Sequence, residues 1–140
     1  MYKLTTSNIS PMPKIVCPSL QTFELSVCPE IKGPFPSMGS SPLLNTIQVD
    51  GCSFESYTSG SLASLFELRT FNARYNNFRN QDAQQILKDI YSSYNVRPRS
   101  QGTIDLRNNG LSLTALLADG ATLVAYNILV NVANWVVLID

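Results

Sequence analysis

Leu20, Phe23 and Leu25 are followed 24 residues later by Leu44, Ile47 and Val49, and after another 24 by Leu68, Phe71 and Ala73. The step then lengthens to 33, reaching Ile104 and Leu106, and 33 again reaches Val137 and Ile139. A unit this short cannot bury its apolar face alone, so a recurrence of this length predicts a solenoid whose stacked coils share one continuous core. Within each unit the apolar residues alternate, as in Phe23/Leu25, Ile47/Val49 and Phe71/Ala73. Period-2 alternation places a short strand at the same point of every coil.

The returns between strands differ. Pro34 and Pro36 forbid a regular helix after the first strand, so loops are expected on the early returns. After Phe78, the segment from Ala83 to Tyr94 carries Ile86, Leu87, Ile90 and Tyr91 at helical spacing. Asp82 suits a cap or first-turn acid there. A helix uses more residues than a loop, which accounts for the longer step. A second helical return is expected from about Leu113 to Ala133, with a break at Gly120, leading into a closing strand over Trp135–Asp140. Residues 1–17, with Pro11 and Pro13, read as an N-terminal arm or cap, and 18–140 as the solenoid. The expected fold class is α/β: a right-handed solenoid with a short parallel sheet on the concave face and a loop or helical convex side.

The second and third coils, Leu44-x-x-Ile47-x-Val49-x-x-Cys52-x-Phe54 and Leu68-x-x-Phe71-x-Ala73-x-x-Asn76-x-Phe78, fill every position of a pattern. The fourth lacks only the leading leucine, where Gln101 stands, and keeps Ile104, Leu106, Asn109 and Leu111. In this the chain resembles the leucine-rich repeat family, and the resemblance spans roughly residues 15 to 140. In the second half, Ile86-Leu87-Lys88-Asp89-Ile90, Gly102-Thr103-Ile104-Asp105-Leu106 and Trp135-Val136-Val137 are similar to repeats ending certain bacteriophage and bacterial surface proteins. That similarity implies a virion or tail-fibre setting, with a bacterial cell-surface or secreted adhesin as the alternative.

The turn after each strand needs a side chain that can bond main-chain groups left unpaired there. Asn76 and Asn109 can do so as donor and acceptor, whereas Cys28 and Cys52 offer only a weak S–H donor. Cys28 and Cys52 stand 24 apart at one repeat position, and all three cysteines are expected to be reduced.

With no histidine, imidazole bases and His–metal sites are excluded, and no CxxC, P-loop or GxGxxG spacing occurs. Ten basic and ten acidic residues leave no net charge and no electrostatic footprint for nucleic acid. No catalysis, cofactor or metal is expected. The apolar stretch Ala121–Ile139 is interrupted by Asn127, Asn131 and Asn134 and lacks a basic flank, so no membrane span is expected.

Aligning the strands gives polar columns on the concave face. One is Glu24, Gln48, Asn72 and Asp105; another is Ser26, Asp50, Arg74, Arg107 and Asp140. Asp50–Arg74 and Arg107–Asp140 are expected to be lateral ion pairs. The binding face is expected at Glu24, Gln48, Asn72, Asp105, Asp50, Arg74 and Arg107. Its partners would be proteins, either neighbouring copies in an assembly or a host surface receptor. The run Arg69, Arg74, Arg79, Arg97, Arg99 and Arg107 is either ordinary pairing or an anion-binding surface.

Overall fold

Phe23, Ile47, Phe71, Ile104 and Val137 each sit at the centre of a three-residue strand, and the first four are fully buried. The computed structural model describes residues 12–140. Its elements in chain order are β1 (Thr22–Glu24), β2 (Lys32–Phe35), β3 (Thr46–Gln48), β4 (Ser53–Tyr57) and β5 (Thr70–Asn72). They are followed by α1 (Asn80–Val96), β6 (Thr103–Asp105), α2 (Leu113–Leu117), α3 (Gly120–Asn131) and β7 (Val136–Leu138). Strands β1-β3-β5-β6-β7 form one five-stranded parallel sheet in that order, and β2 and β4 pair in a second, two-stranded one. Over the described residues the chain is therefore α/β, with an open parallel sheet and three helices.

The sheet register reproduces the sequence spacing. Thr22 pairs with Thr46, Thr46 with Thr70, Thr70 with Thr103 and Thr103 with Val136. The N–H of Leu25 donates to Gln48 O at 2.8 Å, Val49 to Asn72 O at 2.8 Å and Ala73 to Asp105 O at 2.9 Å. The apolar alternation is thus the alternation of one sheet, with Phe23, Leu25, Ile47, Val49, Phe71, Ala73, Ile104 and Leu106 turned to the core.

The early returns are not plain loops as expected. β2 and β4 run parallel with a register shift between Gly33 and Pro34, where proline has no N–H to contribute. Phe35 holds this second sheet to the core, with its ring 5.5 Å from Phe54 edge-on and 5.7 Å from Phe71. Partners in this pair are offset by 21 or 22 residues, Lys32 with Ser53 and Pro34 with Ser56, so the repeat spacing gave no sign of it.

The later returns are helical, within a turn of the expected bounds. α1 begins earlier than Ala83 because Asp82 lies inside its first turn. One carboxylate oxygen accepts from the backbone N–H of Arg79 at 2.9 Å and the other from that of Tyr57 at 3.1 Å. The helix start is therefore capped and tied to β4 by one side chain. The second helical return breaks just before Gly120, where Asp119 accepts from the Thr122 N–H at 3.1 Å and starts α3. Among the described residues no helix is long and apolar enough to cross a membrane.

The last repeat is locked differently. Trp135 is buried, and its indole lies so close over Gly102 that a Cβ there would come within 2.4 Å of the ring. Glycine is required by this close approach. The indole N–H donates to Arg99 O at 2.9 Å.

At the N-terminal end Met12 and Ile15 are buried against the core, and the Cys17 N–H donates to Ser41 Oγ at 3.2 Å. Of the expected arm or cap, residues 12–17 are described, and 1–11, with Pro11, lie outside the described residues.

Candidate functional site

The asparagines stand where each strand ends and the chain turns. Asn76 Nδ2 donates to Val49 O at 2.8 Å and Ala73 O at 3.1 Å, while its Oδ1 accepts from the Phe54 N–H at 3.0 Å. Asn109 repeats this one unit later, to Ala73 O at 2.9 Å and Leu106 O at 3.0 Å, accepting from Phe78 N–H at 3.1 Å. Cys52 donates to Leu25 O at 3.3 Å and also bonds Cys28, and Cys28 reaches Ser26 O at 3.4 Å. Burial pushes the Cys52 thiol up to about 12 and also raises Cys28, and all three cysteines are free. Asp140 takes the acceptor part of the next asparagine. Its carboxylate receives the N–H groups of Asn108, Asn109, Gly110 and Leu111 at 2.6 to 3.3 Å. These backbone bonds, that from Asn108 foremost, hold its pKa below the usual carboxylate range. These five side chains bond backbone groups at the strand ends and turns.

One step beyond the strand ends, a second series emerges. Val27, Gly51, Tyr75 and Asn108, again 24, 24 and 33 apart, all have positive φ, at 54°, 74°, 56° and 62°. Glycine and asparagine enter this region readily, whereas valine and tyrosine are strained there. Val27 and Tyr75 nonetheless occupy it with their side chains in solvent, 74% and 57% exposed.

The column Glu24, Gln48, Asn72 and Asp105 is aligned in the sheet as the spacing requires. Asp105, however, is 6% exposed and acts as a hub. It accepts from Arg107 Nη2 at 2.8 Å, Nε at 3.0 Å and backbone N–H at 3.2 Å. Arg74 Nε, buried and without a hydrogen-bond acceptor, lies 3.6 Å from the same carboxylate. Burial alone would raise the Asp105 pKa, but the hydrogen bonds from Arg107 and the charges of Arg107 and Arg74 hold it below the usual range. The lateral pairs Asp50–Arg74 and Arg107–Asp140 do not form. Both arginines turn to Asp105 instead, Asp50 accepts from Ser26 Oγ at 3.1 Å, and Asp140 is consumed by backbone N–H groups. The reason is competition: a carboxylate already facing two arginines, or four N–H donors, outbids an exposed neighbour that gains little from pairing.

The arginine run does not form one anion surface. Arg79 pairs with Asp82, Arg97 with Glu67, and Arg69 Nη1 donates to Ser100 O at 2.6 Å. Arg99 is buried, donating to Leu68 O, Leu65 O and Ser93 Oγ at 2.5, 3.3 and 2.8 Å, with its guanidinium 5.5 Å from the Trp135 ring centre. Burial, then the charges of Arg69 and Arg97, lowers its pKa to about 10.

At the opposite ends of the same strands lies an open groove of about 510 Å³, lined by Gln21, Leu43, Asn45, Thr46, Glu67, Arg69 and Thr70. Gln21, Asn45 and Arg69 are one repeat position apart, as are Leu43 and Glu67. Thr46 and Thr70 belong to a threonine column, Thr22, Thr46, Thr70 and Thr103, that the strand alignment also gives, whereas Gln21, Asn45 and Arg69, one residue earlier, are not in the binding face expected from the sequence. The groove offers amides, hydroxyls, one carboxylate and one guanidinium, which can exchange hydrogen bonds with a polar ligand. Among the described residues no three His, Cys, Asp or Glu side chains gather as a metal site would require.

Buried Asp89 was also missed. It accepts from Tyr57 OH at 2.5 Å, Gly60 N–H at 2.7 Å and Gln85 Nε2 at 2.8 Å. Tyr57 in turn accepts from the Leu62 N–H at 3.0 Å, so the pair ties the chain leaving β4 to α1. Burial, then the charge and hydrogen bond of Asp89, raises the Tyr57 pKa.

Comparison of the chain with protein-family models, with curated proteins and with solved structures returns no match.

Proposed function

We propose that this chain is a right-handed leucine-rich-repeat solenoid that works without catalysis, as a structural or recognition module of a phage virion or tail apparatus. The observation that carries the architectural part is the identity between the sequence spacing and the sheet register, Thr22, Thr46, Thr70, Thr103 and Val136 in one row. The asparagine ladder supports it further, because each asparagine bonds backbone of the preceding repeat. A stacked architecture acts by presenting a repeated face to a macromolecule rather than by enclosing a substrate. The virion setting rests on the resemblance of the second half to phage and surface-protein repeats.

A bacterial surface or secreted adhesin is the second reading, and the polar groove at Gln21, Asn45 and Arg69 favours it. An antibody to the chain separates the two. Labelling of purified virions supports the first, and labelling of the cell envelope or secreted fraction the second. A chain found only in the cell interior overturns both.

A further inference from the structure

We propose that Cys28 and Cys52 form an oxidative modification site, at which a small-molecule disulfide converts the two thiols into a covalent clip between the first and second repeats. The offset of 24 that pairs β1 with β3 continues past the strands. Leu25 N–H donates to Gln48 O at 2.8 Å, and Val27 N–H to Asp50 O at 2.9 Å. Cys28 and Cys52 follow directly in the same register, and both side chains are buried. Neighbouring strands lie about 4.8 Å apart, inside the range of about 4.4–6.8 Å that a disulfide needs between Cα atoms. The two chains stay close up to this point, since a Cβ at Gly51 would come within 3.2 Å of Val27 Cα. The thiols themselves meet. The Cys52 sulfur bonds the Cys28 thiol and receives the Cys28 backbone N–H.

The third cysteine supplies the contrast. The residue 24 after Cys17 is Ser41, and the Cys17 N–H donates to its Oγ at 3.2 Å. On the far side of Cys52 the equivalent position holds Asn76. Cys28 and Cys52 are therefore the one pair of thiols that are repeat neighbours. On closure Cys52 gives up its donation to Leu25 O and Cys28 its donation to Ser26 O, both weak. A covalent bond replaces them between the two repeats whose turn side chains hold the backbone least, and it restricts the unfolded chain.

The step is thiol–disulfide exchange. One cysteine, as thiolate, attacks a sulfur of the reagent, whose S–S bond breaks as one small thiol leaves. The other cysteine then attacks the mixed disulfide, forming the Cys28–Cys52 bond and releasing the second small thiol. The two cysteine protons end on the two released thiols; the cysteines are oxidised and the reagent is reduced. Burial keeps both thiols protonated, so exchange goes through local opening of the turn and is slow in the folded chain. The finished bond is shielded in the same way. None of this depends on whether the chain belongs to a virion or to a cell surface.

The test exposes the full chain to oxidised glutathione, once folded and once during refolding from urea. Remaining thiols are alkylated in denaturant and the peptides mapped by mass spectrometry. The expected product joins Cys28 to Cys52 with the loss of two hydrogens, forms faster during refolding, and leaves Cys17 outside the bond. The oxidised chain should melt at least about 5 °C above the reduced one, and dithiothreitol should reverse the shift. Cys28→Ser should lose both bond and shift, whereas Cys17→Ser should keep both. Cys28 and Cys52 left alkylated or glutathionylated after refolding, where burial gives no shelter, overturn the proposal. So does a bond that takes in Cys17, or a closed Cys28–Cys52 bond that leaves the melting temperature unchanged or lower.

Discussion

The two short returns and the two long ones solve one problem with different materials. Between β1 and β5 the chain comes back through a second small sheet, and aromatic rings close the space: Phe35 contacts Phe54, Tyr57 and Phe71, and Phe54 stacks on Phe78 at 6.4 Å. Between β5 and β7 it comes back through helices whose ends are fixed by carboxylates, Asp82 on α1 and Asp119 on α3. The turn bonds differ in the same way, a weak thiol at Cys52 but full asparagine networks at Asn76 and Asn109. The first half is held mostly by packing, and the second adds directional polar bonds. This difference tells where each half is vulnerable.

The largest effect should come from Phe71→Asp, at the strand where the halves meet. The change removes a fully buried ring and introduces a carboxylate with no partner. The loss of ring packing alone is worth about 3–5 kcal/mol, comparable to the whole stability of a small domain. The variant should be unfolded by circular dichroism; one melting like the parent would refute the shared core.

Gly102→Ala should come next, because its methyl would sit 2.4 Å from the Trp135 ring. Overpacking at such a contact costs about 1–3 kcal/mol. Urea denaturation should show this loss together with a shift in tryptophan fluorescence, since Trp135 is the single tryptophan.

The ladder gives the sharpest contrast between halves. Asn76→Ala strands the Phe54 N–H and Val49 O, and each buried unpaired group costs about 1–3 kcal/mol. Cys52→Ala gives up only weak thiol bonds, to Leu25 O and with Cys28, and should cost at most about 1 kcal/mol beyond lost packing. Equal losses in chemical denaturation would show that the two side chains are equivalent.

Acid should weaken the second half first. Asp105 and Asp140 both have lowered pKa values in the folded chain. Their contribution is therefore complete above the unfolded carboxylate pKa and lost as pH falls through the lower folded value. Amide exchange followed to acidic pH should show Asn108–Leu111 losing protection before the β2–β4 pair does. The reverse order would break the comparison.

The smallest expected effect is a gain. Val27→Gly and Tyr75→Gly relieve a left-handed backbone that costs a non-glycine residue about 1–2 kcal/mol. Part of that is returned through glycine's greater freedom when unfolded. Each variant should melt slightly higher than the parent, and a lower melting temperature would mean these exposed side chains support the fold.

The five strands of the main sheet, their order and register, and the asparagine positions were legible in the sequence. A stacked unit repeats its core contacts at a fixed interval, so one spacing reports every strand at once. Helix α1 was legible from Ile86, Leu87 and Ile90, and its start from Asp82. The β2–β4 pair was not, since its offset of 21 or 22 departs from the repeat and Pro34 and Pro36 were informative only in excluding a helix. Nor were the Asp105 hub, the Asp89–Tyr57 bond or the buried Arg99. Those depend on side-chain reach between units, as in Arg99 to Leu68 O across 31 residues, and periodicity carries no information about it.

By itself the sequence determined which residues line the core and which stand in one row, because burying apolar surface depends on spacing and little on partner identity. Only the tertiary structure decided the polar contacts. A carboxylate has several donors within reach, and the packed geometry chooses among them. That is why Arg74 and Arg107 converge on Asp105 and why Asp140 serves four backbone N–H groups.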